Sequence, residues 1–73
     1  MKPRLYSLVK YDFNSLPESW RKEHPVNMYE GFVFIYFGEI PNMRGHCYVQ
    51  DIKTGKGYIF HPFNVIELTE EEV

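Results

Sequence analysis

The sequence lacks most of the features that assign a small protein to a function directly. Its single cysteine, Cys47, excludes an internal disulfide, and with it the disulfide-rich scaffold of many small secreted domains. No apolar run is long enough to cross a bilayer, and residues 1–10 contain no continuous apolar segment typical of a signal peptide. We therefore expect a cytoplasmic protein that works in a reducing compartment and has no membrane partner.

Catalytic and metal-binding patterns are also missing. The chain has no paired catalytic carboxylates and no glycine-rich phosphate loop. Its histidines, His24, His46 and His61, lack the close spacing of a structural zinc site, which favours surface histidines. Because neighbouring strand residues face opposite ways, His46 and Cys47 cannot form a nucleophile–base pair, and Cys47 is expected to be a small buried side chain. We expect no catalytic residue, no metal and no cofactor.

Neither sign of charge dominates the chain. Eight Lys and Arg stand against ten Asp and Glu, a net charge of −2, and without the acidic run at 70–72 the remainder carries about +1. Such a balance lacks the basic field on which nucleic-acid binding usually depends. The charge therefore favours a protein partner over a nucleic acid.

What the chain does have is aromatic side chains, 18% of 73 residues. A domain this small needs large side chains to form a core. The densest run, between Gly31 and Gly38, has the β-branched and aromatic content of a strand. Alternation separates it into two rows, Val33, Ile35 and Phe37, and Phe32, Phe34 and Tyr36. We expect the first row in the core. The second is either covered by the long loop 14–30 or exposed as a second contact patch.

Five short strands are predicted, at 5–13, 31–38, 46–51, 56–60 and 65–68. The loop 14–30 is expected to carry a short helical turn at 15–24, with a Ser15–Glu18 capping box and a Glu18–Lys22 pair. A 3₁₀ turn is predicted at 61–64, before the last strand. This order describes a mainly β, closed or nearly closed small barrel. Residues 1–68 form one domain, and residues 69–73 an acidic tail that we expect to fray.

Three segments of the chain resemble the Src-homology-3-like barrel family. Residues 9–13 resemble the Ala-Leu-Tyr-Asp-Tyr motif, residues 54–59 the distal hairpin, and residues 62–66 the Pro-Ser-Asn-Tyr-Val turn. The resemblance implies a five-stranded barrel with a long first loop carrying a short helical turn and a 3₁₀ turn before the last strand. The stretch 38–47 also resembles one found in short uncharacterised bacterial proteins, which implies no known activity.

In peptide-binding members of that family an aromatic groove grips a polyproline helix. By resemblance, Tyr11 and Phe13 match its first aromatics and Pro62 its proline, whereas His46 and Val65 stand where the family has Trp and Tyr. Trp20 either caps the open end of the barrel or anchors a partner, and the core role is favoured. The candidate binding residues are Tyr11, Phe13, Trp20, His46, Tyr48, Pro62 and Val65.

The leading hypothesis is a non-enzymatic module that binds another protein or a second copy of itself. A second hypothesis is single-stranded nucleic-acid binding, with Tyr48 stacking on a base and basic residues on the backbone. The basic residues would be Lys10, Arg44, Lys53 and Lys56. A third is an accessory subunit of a larger enzyme complex.

Overall fold

A computed structural model describes residues 2–71. Its five short strands form one antiparallel sheet. The strands are β1 (Leu8–Tyr11), β2 (Phe34–Glu39), β3 (Cys47–Asp51), β4 (Gly57–Phe60) and β5 (Val65–Glu67). One short helix, α1 (Glu18–Glu23), lies in the long connection after β1, and 3₁₀ turns occupy Phe13–Ser15 and Pro62–Asn64. The predicted mainly β architecture is confirmed, as are the 3₁₀ turn and all five strands to within a few residues at each end.

The strand order is β4-β3-β2-β1-β5. Each strand from β1 to β4 pairs with the next one in sequence, including β1 with β2 across the long connection, and β5 returns to pair with β1. Within residues 2–71 no ladder joins β4 to β5, so the sheet is open there and the closed form of the predicted barrel is wrong. The turn Pro62–Asn64 separates these strands, and Pro62 has no N–H to donate to a ladder.

Among residues 2–71 the core consists of six buried apolar side chains, Val9, Phe34, Tyr36, Cys47, Val49 and Val65. The row assignment predicted for β2 is therefore wrong: Phe34 and Tyr36 face inward, and Phe37 on the opposite face is 37% exposed. Cross-strand partners select the inward row, since Phe34 lies opposite Val9 and Tyr36 opposite Val49. The Phe32, Phe34 and Tyr36 row is consequently not an exposed contact patch.

Tyr29, from the long connection, covers this row. Its ring centre lies 5.1 Å from those of Tyr11 and Phe60, 5.6 Å from Tyr58 and 6.2 Å from Phe34. Most of these contacts are edge-to-face, the geometry that aromatic quadrupoles favour. The loop thus hides the row, one of the two expected outcomes, through Tyr29.

Asn64, which is buried, joins the two 3₁₀ turns. Its side-chain Nδ2 donates to the Ser15 hydroxyl at 3.0 Å, and its backbone carbonyl accepts the Asp12 N–H at 2.6 Å. The Ser15 hydroxyl donates in turn to the Asp12 carbonyl, so the predicted Ser15–Glu18 capping box is wrong. The predicted Glu18–Lys22 pair is present at 3.7 Å, with both side chains exposed.

The segment before β1 is tied to β5 by a fork of hydrogen bonds. The Arg4 guanidinium and backbone N–H all donate to the Glu67 carboxylate, at 2.7–3.3 Å. These bonds lower the pKa of Glu67 from 4.5 to about 2. No helix within residues 2–71 is long and apolar enough to cross a membrane.

We predict that Phe34→Ala and Phe37→Ala differ sharply although both lie on β2. Truncating the fully buried Phe34 leaves a cavity and lowers the free energy of unfolding by about 3–5 kcal/mol. Phe37→Ala costs about 1 kcal/mol, because its ring already contacts water. Urea unfolding followed by circular dichroism measures both, and equal losses would contradict the inward row.

The Arg4–Glu67 contact predicts an acid-dependent share of stability. Because the folded-state pKa of Glu67 is depressed, its contribution is complete above pH 4.5 and is lost as the pH falls toward 2. Glu67→Gln should lower the unfolding midpoint at pH 7 and flatten its fall between pH 5 and about 2. Glu18→Gln on exposed α1 is the control at pH 7, and an unchanged acid profile in Glu67→Gln would refute the assignment.

Candidate functional site

An aromatic groove lies between the end of β1 and the long connection. It has a volume of about 210 Å³ and is lined by Tyr11, Phe13, Leu16, Trp20, His24, Val26, Met28 and Tyr29. Strand β1 positions Tyr11, the first 3₁₀ turn positions Phe13, and α1 carries Trp20. We call this set the aromatic groove.

Trp20 stands at the edge of the groove with half of its surface in water. The side chain is 51% exposed, and its ring packs on His24, one helical turn later, with ring centres 4.5 Å apart. The core role favoured from the sequence is therefore wrong. Helix α1 has only six residues and buries none of them, and Tyr29 fills the position over the core that Trp20 was expected to take.

Val26 and Met28 form the opposite, loop side of the groove and are the most exposed apolar residues in it. They are 74% and 77% exposed. Both follow Pro25, which lies just beyond α1 and favours extended backbone on its N-terminal side. One of the two alternatives left open by the sequence had the long loop 14–30 cover the Phe-rich strand, but the structure leaves these two side chains of the loop exposed beside Trp20.

The base of the groove is packed against aromatic rings of the core. Tyr11 packs its ring against Tyr29 and Phe60, both at 5.1 Å. Partial burial, with Tyr29 close by, raises the pKa of Tyr11, and its phenolic hydroxyl is available as a hydrogen-bond donor. The groove therefore pairs a fixed aromatic base with an exposed apolar rim.

A larger polar cleft, about 770 Å³, lies beside the groove and shares Tyr11, Phe13 and Tyr29 with it. Its polar lining comprises Lys10, Asp12, Asn14, Asn27 and Glu30. Asn27 shapes this side of the loop, because its Oδ1 accepts the Tyr29 N–H at 3.0 Å and its Nδ2 donates to Glu30 at 3.2 Å. The apolar groove and the polar cleft thus lie side by side and share the aromatic residues between them.

The structure brings only three of the seven candidate binding residues into the groove, namely Tyr11, Phe13 and Trp20. Val65 lies opposite Tyr11 and is 4% exposed, so it belongs to the core and cannot contact a partner. Pro62 opens the second 3₁₀ turn, and its neighbours in a separate depression are Lys2, Gly45, His61 and Phe63.

Tyr48 lies on the outer face of the sheet, away from the groove. Its ring centre is 5.7 Å from that of Phe37, and its hydroxyl accepts from Gln50 Nε2 at 3.2 Å. The ring also covers Gly57 on β4, where an added Cβ would fall 2.7 Å from Tyr48 Cζ. Tyr48 therefore completes the packing of the β3–β4 hairpin.

His46 has a partner that sequence reasoning missed. It faces His61 across β3 and β4, with ring centres 4.7 Å apart. The observed register decides the pairing, because Cys47 lies opposite Phe60 and positions 46 and 61 follow one step further along. A two-residue turn at Thr54–Gly55 would instead pair residue 53 with 56 and so place position 46 opposite 63. His46 and His61 are fifteen positions apart in the sequence, so a search for closely spaced metal ligands did not find them as a pair.

Cys47 is buried as predicted, and burial raises the pKa of its thiol. Among residues 2–71 no group of three or more His, Cys, Asp or Glu side chains is arranged to hold a metal ion. The groove itself offers aromatic ring faces, two phenolic hydroxyls, one imidazole and apolar side chains, which suit binding by packing.

Comparison with known proteins adds no relative to this picture. No family model, no curated protein and no solved structure matches the chain.

The position of Trp20 predicts a water-exposed fluorophore in the folded protein. Because Trp20 is the only tryptophan, native emission should resemble that of the urea-unfolded chain and be quenched efficiently by acrylamide. Phe34→Trp in a Trp20→Phe background provides a buried reference with blue-shifted emission. A blue-shifted, quencher-resistant native Trp20 would mean that it caps the core after all.

Proposed function

We propose that the chain is a Src-homology-3-like small barrel without enzymatic activity that binds an extended segment of a partner protein in the aromatic groove. The fold proposal is supported by the strand order, with β5 returning to β1, by the long connection after β1 and by the 3₁₀ turn before β5. The lone cysteine is consistent with our placing it in the cytoplasm.

One observation carries the functional proposal: Trp20, Val26 and Met28 surround the groove and are each more than half exposed. Large apolar side chains gathered at one depression of a small domain are typical of contact surfaces, and tryptophan is enriched at their energetic centres. Eleven large apolar side chains of residues 2–71 are exposed, and these three are the ones that line the aromatic groove together.

The chemistry of the groove indicates what the partner presents. A volume of about 210 Å³ accommodates one or two apolar side chains, and unbranched Met28 adapts its shape to them. The adjoining polar cleft supplies carboxylate, amide and ammonium groups within reach of the same segment. We expect an extended peptide with an apolar or aromatic anchor followed by polar residues.

Nucleic-acid binding is less well supported. Tyr48, the side chain proposed to stack on a base, already packs on Phe37 and Gly57. Lys56 lies over the Tyr58 ring at 5.2 Å from its centre, and the chain carries a net charge of −2. The third hypothesis, an accessory subunit of a larger enzyme complex, also requires that the chain binds another protein.

Peptide display tests the proposal directly. Peptides selected on the folded protein should bind Trp20→Ala at least about 30-fold more weakly, the loss of roughly 2 kcal/mol typical of a hot spot. Met28→Ala should weaken binding less. Ile59→Ala is the matched control, because Ile59 is 49% exposed but lies on β4 outside the groove.

Calorimetry measures each affinity, and sedimentation over a range of concentrations separates binding to peptide from self-association. Equal affinity of the selected peptides for wild type and Trp20→Ala would exclude the groove as the binding site. Binding of single-stranded DNA or RNA at low salt, unaffected by Trp20→Ala, would instead favour the nucleic-acid hypothesis.

A further inference from the structure

His46 and His61 form a pair on the outer face of the sheet, at the end of the β3–β4 hairpin. The neighbouring residues Cys47 and Phe60 are register partners, which places the two histidines opposite each other one step further along. Their ring centres lie 4.7 Å apart, at an interplanar angle of 36°. Residues opposite each other in an antiparallel pair have Cβ atoms about 5 Å apart, so the strands hold this proximity.

Both rings are oriented by the same loop. His46 Nδ1 lies 2.9 Å from the Arg44 carbonyl oxygen, and His61 Nδ1 lies 2.9 Å from the carbonyl oxygen of Gly45. A carbonyl oxygen only accepts, so each Nδ1 carries the proton and donates it. In the neutral ring the lone pair is then on Nε2, and no residue among 2–71 hydrogen-bonds to Nε2 of either histidine.

Histidines that bind metals characteristically donate the other ring N–H to a backbone carbonyl or a carboxylate, which fixes the tautomer and orients the ligating nitrogen. Both His46 and His61 have this arrangement. Two imidazoles bound to one ion at about 2.0–2.1 Å in adjacent positions have ring centres roughly 4.5–5 Å apart, and the observed 4.7 Å lies in that range. From these contacts we propose that His46 and His61 chelate a divalent transition-metal ion through Nε2.

The surroundings fit a two-ligand surface site. Phe63 stacks on His61, with ring centres 5.3 Å apart and an interplanar angle of 17°, which restricts rotation of that ring. Lys2 lines the depression that also contains His61, and its ammonium group is paired with the Glu39 carboxylate. Water completes the coordination sphere, and with two imidazole ligands the affinity order is Cu²⁺ above Ni²⁺ and Zn²⁺.

Titration with the metal ions alone tests the site, and the third histidine provides the control. Cu²⁺, Ni²⁺ and Zn²⁺ are added separately to wild type, His46→Ala, His61→Ala and His24→Ala, with calorimetry for affinity. We expect one ion per chain in wild type and in His24→Ala. Binding should be about tenfold weaker or worse in the other two variants, because a single imidazole cannot chelate.

Zn²⁺, which is diamagnetic, also permits an NMR readout that does not depend on variants. The ring protons of His46 and His61 should shift together and saturate at one equivalent, while those of His24 stay in place. Circular dichroism establishes that each variant is folded before its affinity is compared. Absence of wild-type binding, or equal loss of binding in His24→Ala, would overturn the proposal.

Discussion

The structure depends on the insertion of Tyr29 into the aromatic side of the sheet. A five-stranded sheet with six buried core residues cannot shield a fully apolar face by itself. Tyr29 comes from a connection with no strand of its own and contacts rings from β1, β2 and β4. One side chain therefore anchors the long loop and completes the core, which makes the loop a part of the fold.

The same packing holds together the edges that hydrogen bonds leave apart. Strands β4 and β5 share no ladder within the described chain, yet Phe60 of β4 packs on Tyr11 of β1 at 5.1 Å. Tyr11 is in turn paired with Val65 of β5. Side-chain contact across the core thus links β4 to the β1–β5 edge, where no backbone hydrogen bonds join β4 to β5. Aromatic rings suit this role because they bridge more distance per residue than aliphatic side chains.

The filling of the core by Tyr29 also explains why the groove is exposed. Tyr29 occupies the space among Tyr11, Tyr58 and Phe60, and Phe32 from the end of the same connection packs beside it. Trp20 on α1 and Met28, from the same connection, remain outside. The apolar rim is thus a consequence of how the core is completed. A loop that is fixed at Tyr29 and at Asn27 presents that rim in a defined position, which lowers the entropy lost when a partner binds.

The sequence allowed the strands, the turns and the burial of Cys47 to be predicted, because alternation and turn residues are local signals. It did not allow the inward face of β2 to be chosen. Both rows of that strand are apolar, and the choice depends on Val9 and Val49 across the ladder. The position of Trp20 was predicted wrongly for a related reason. Which side chain of the long loop packs on the core depends on the shape of the folded core, and in the structure Tyr29 is the one that packs on Phe34.

Asn64 shows how the two candidate sites share one support. Its side chain bonds Ser15, which ends the turn carrying Phe13 of the groove, and its own turn begins directly after His61. A buried amide with these bonds fixes both turns, because leaving either partner unsatisfied costs about 1–3 kcal/mol. The aromatic groove and the histidine pair use different chemistry, packing in one and nitrogen lone pairs in the other. Both are nevertheless positioned by the hydrogen bonds of Asn64, which tie the end of β1 to the start of β5. This is also the edge at which β4 and β5 share no ladder.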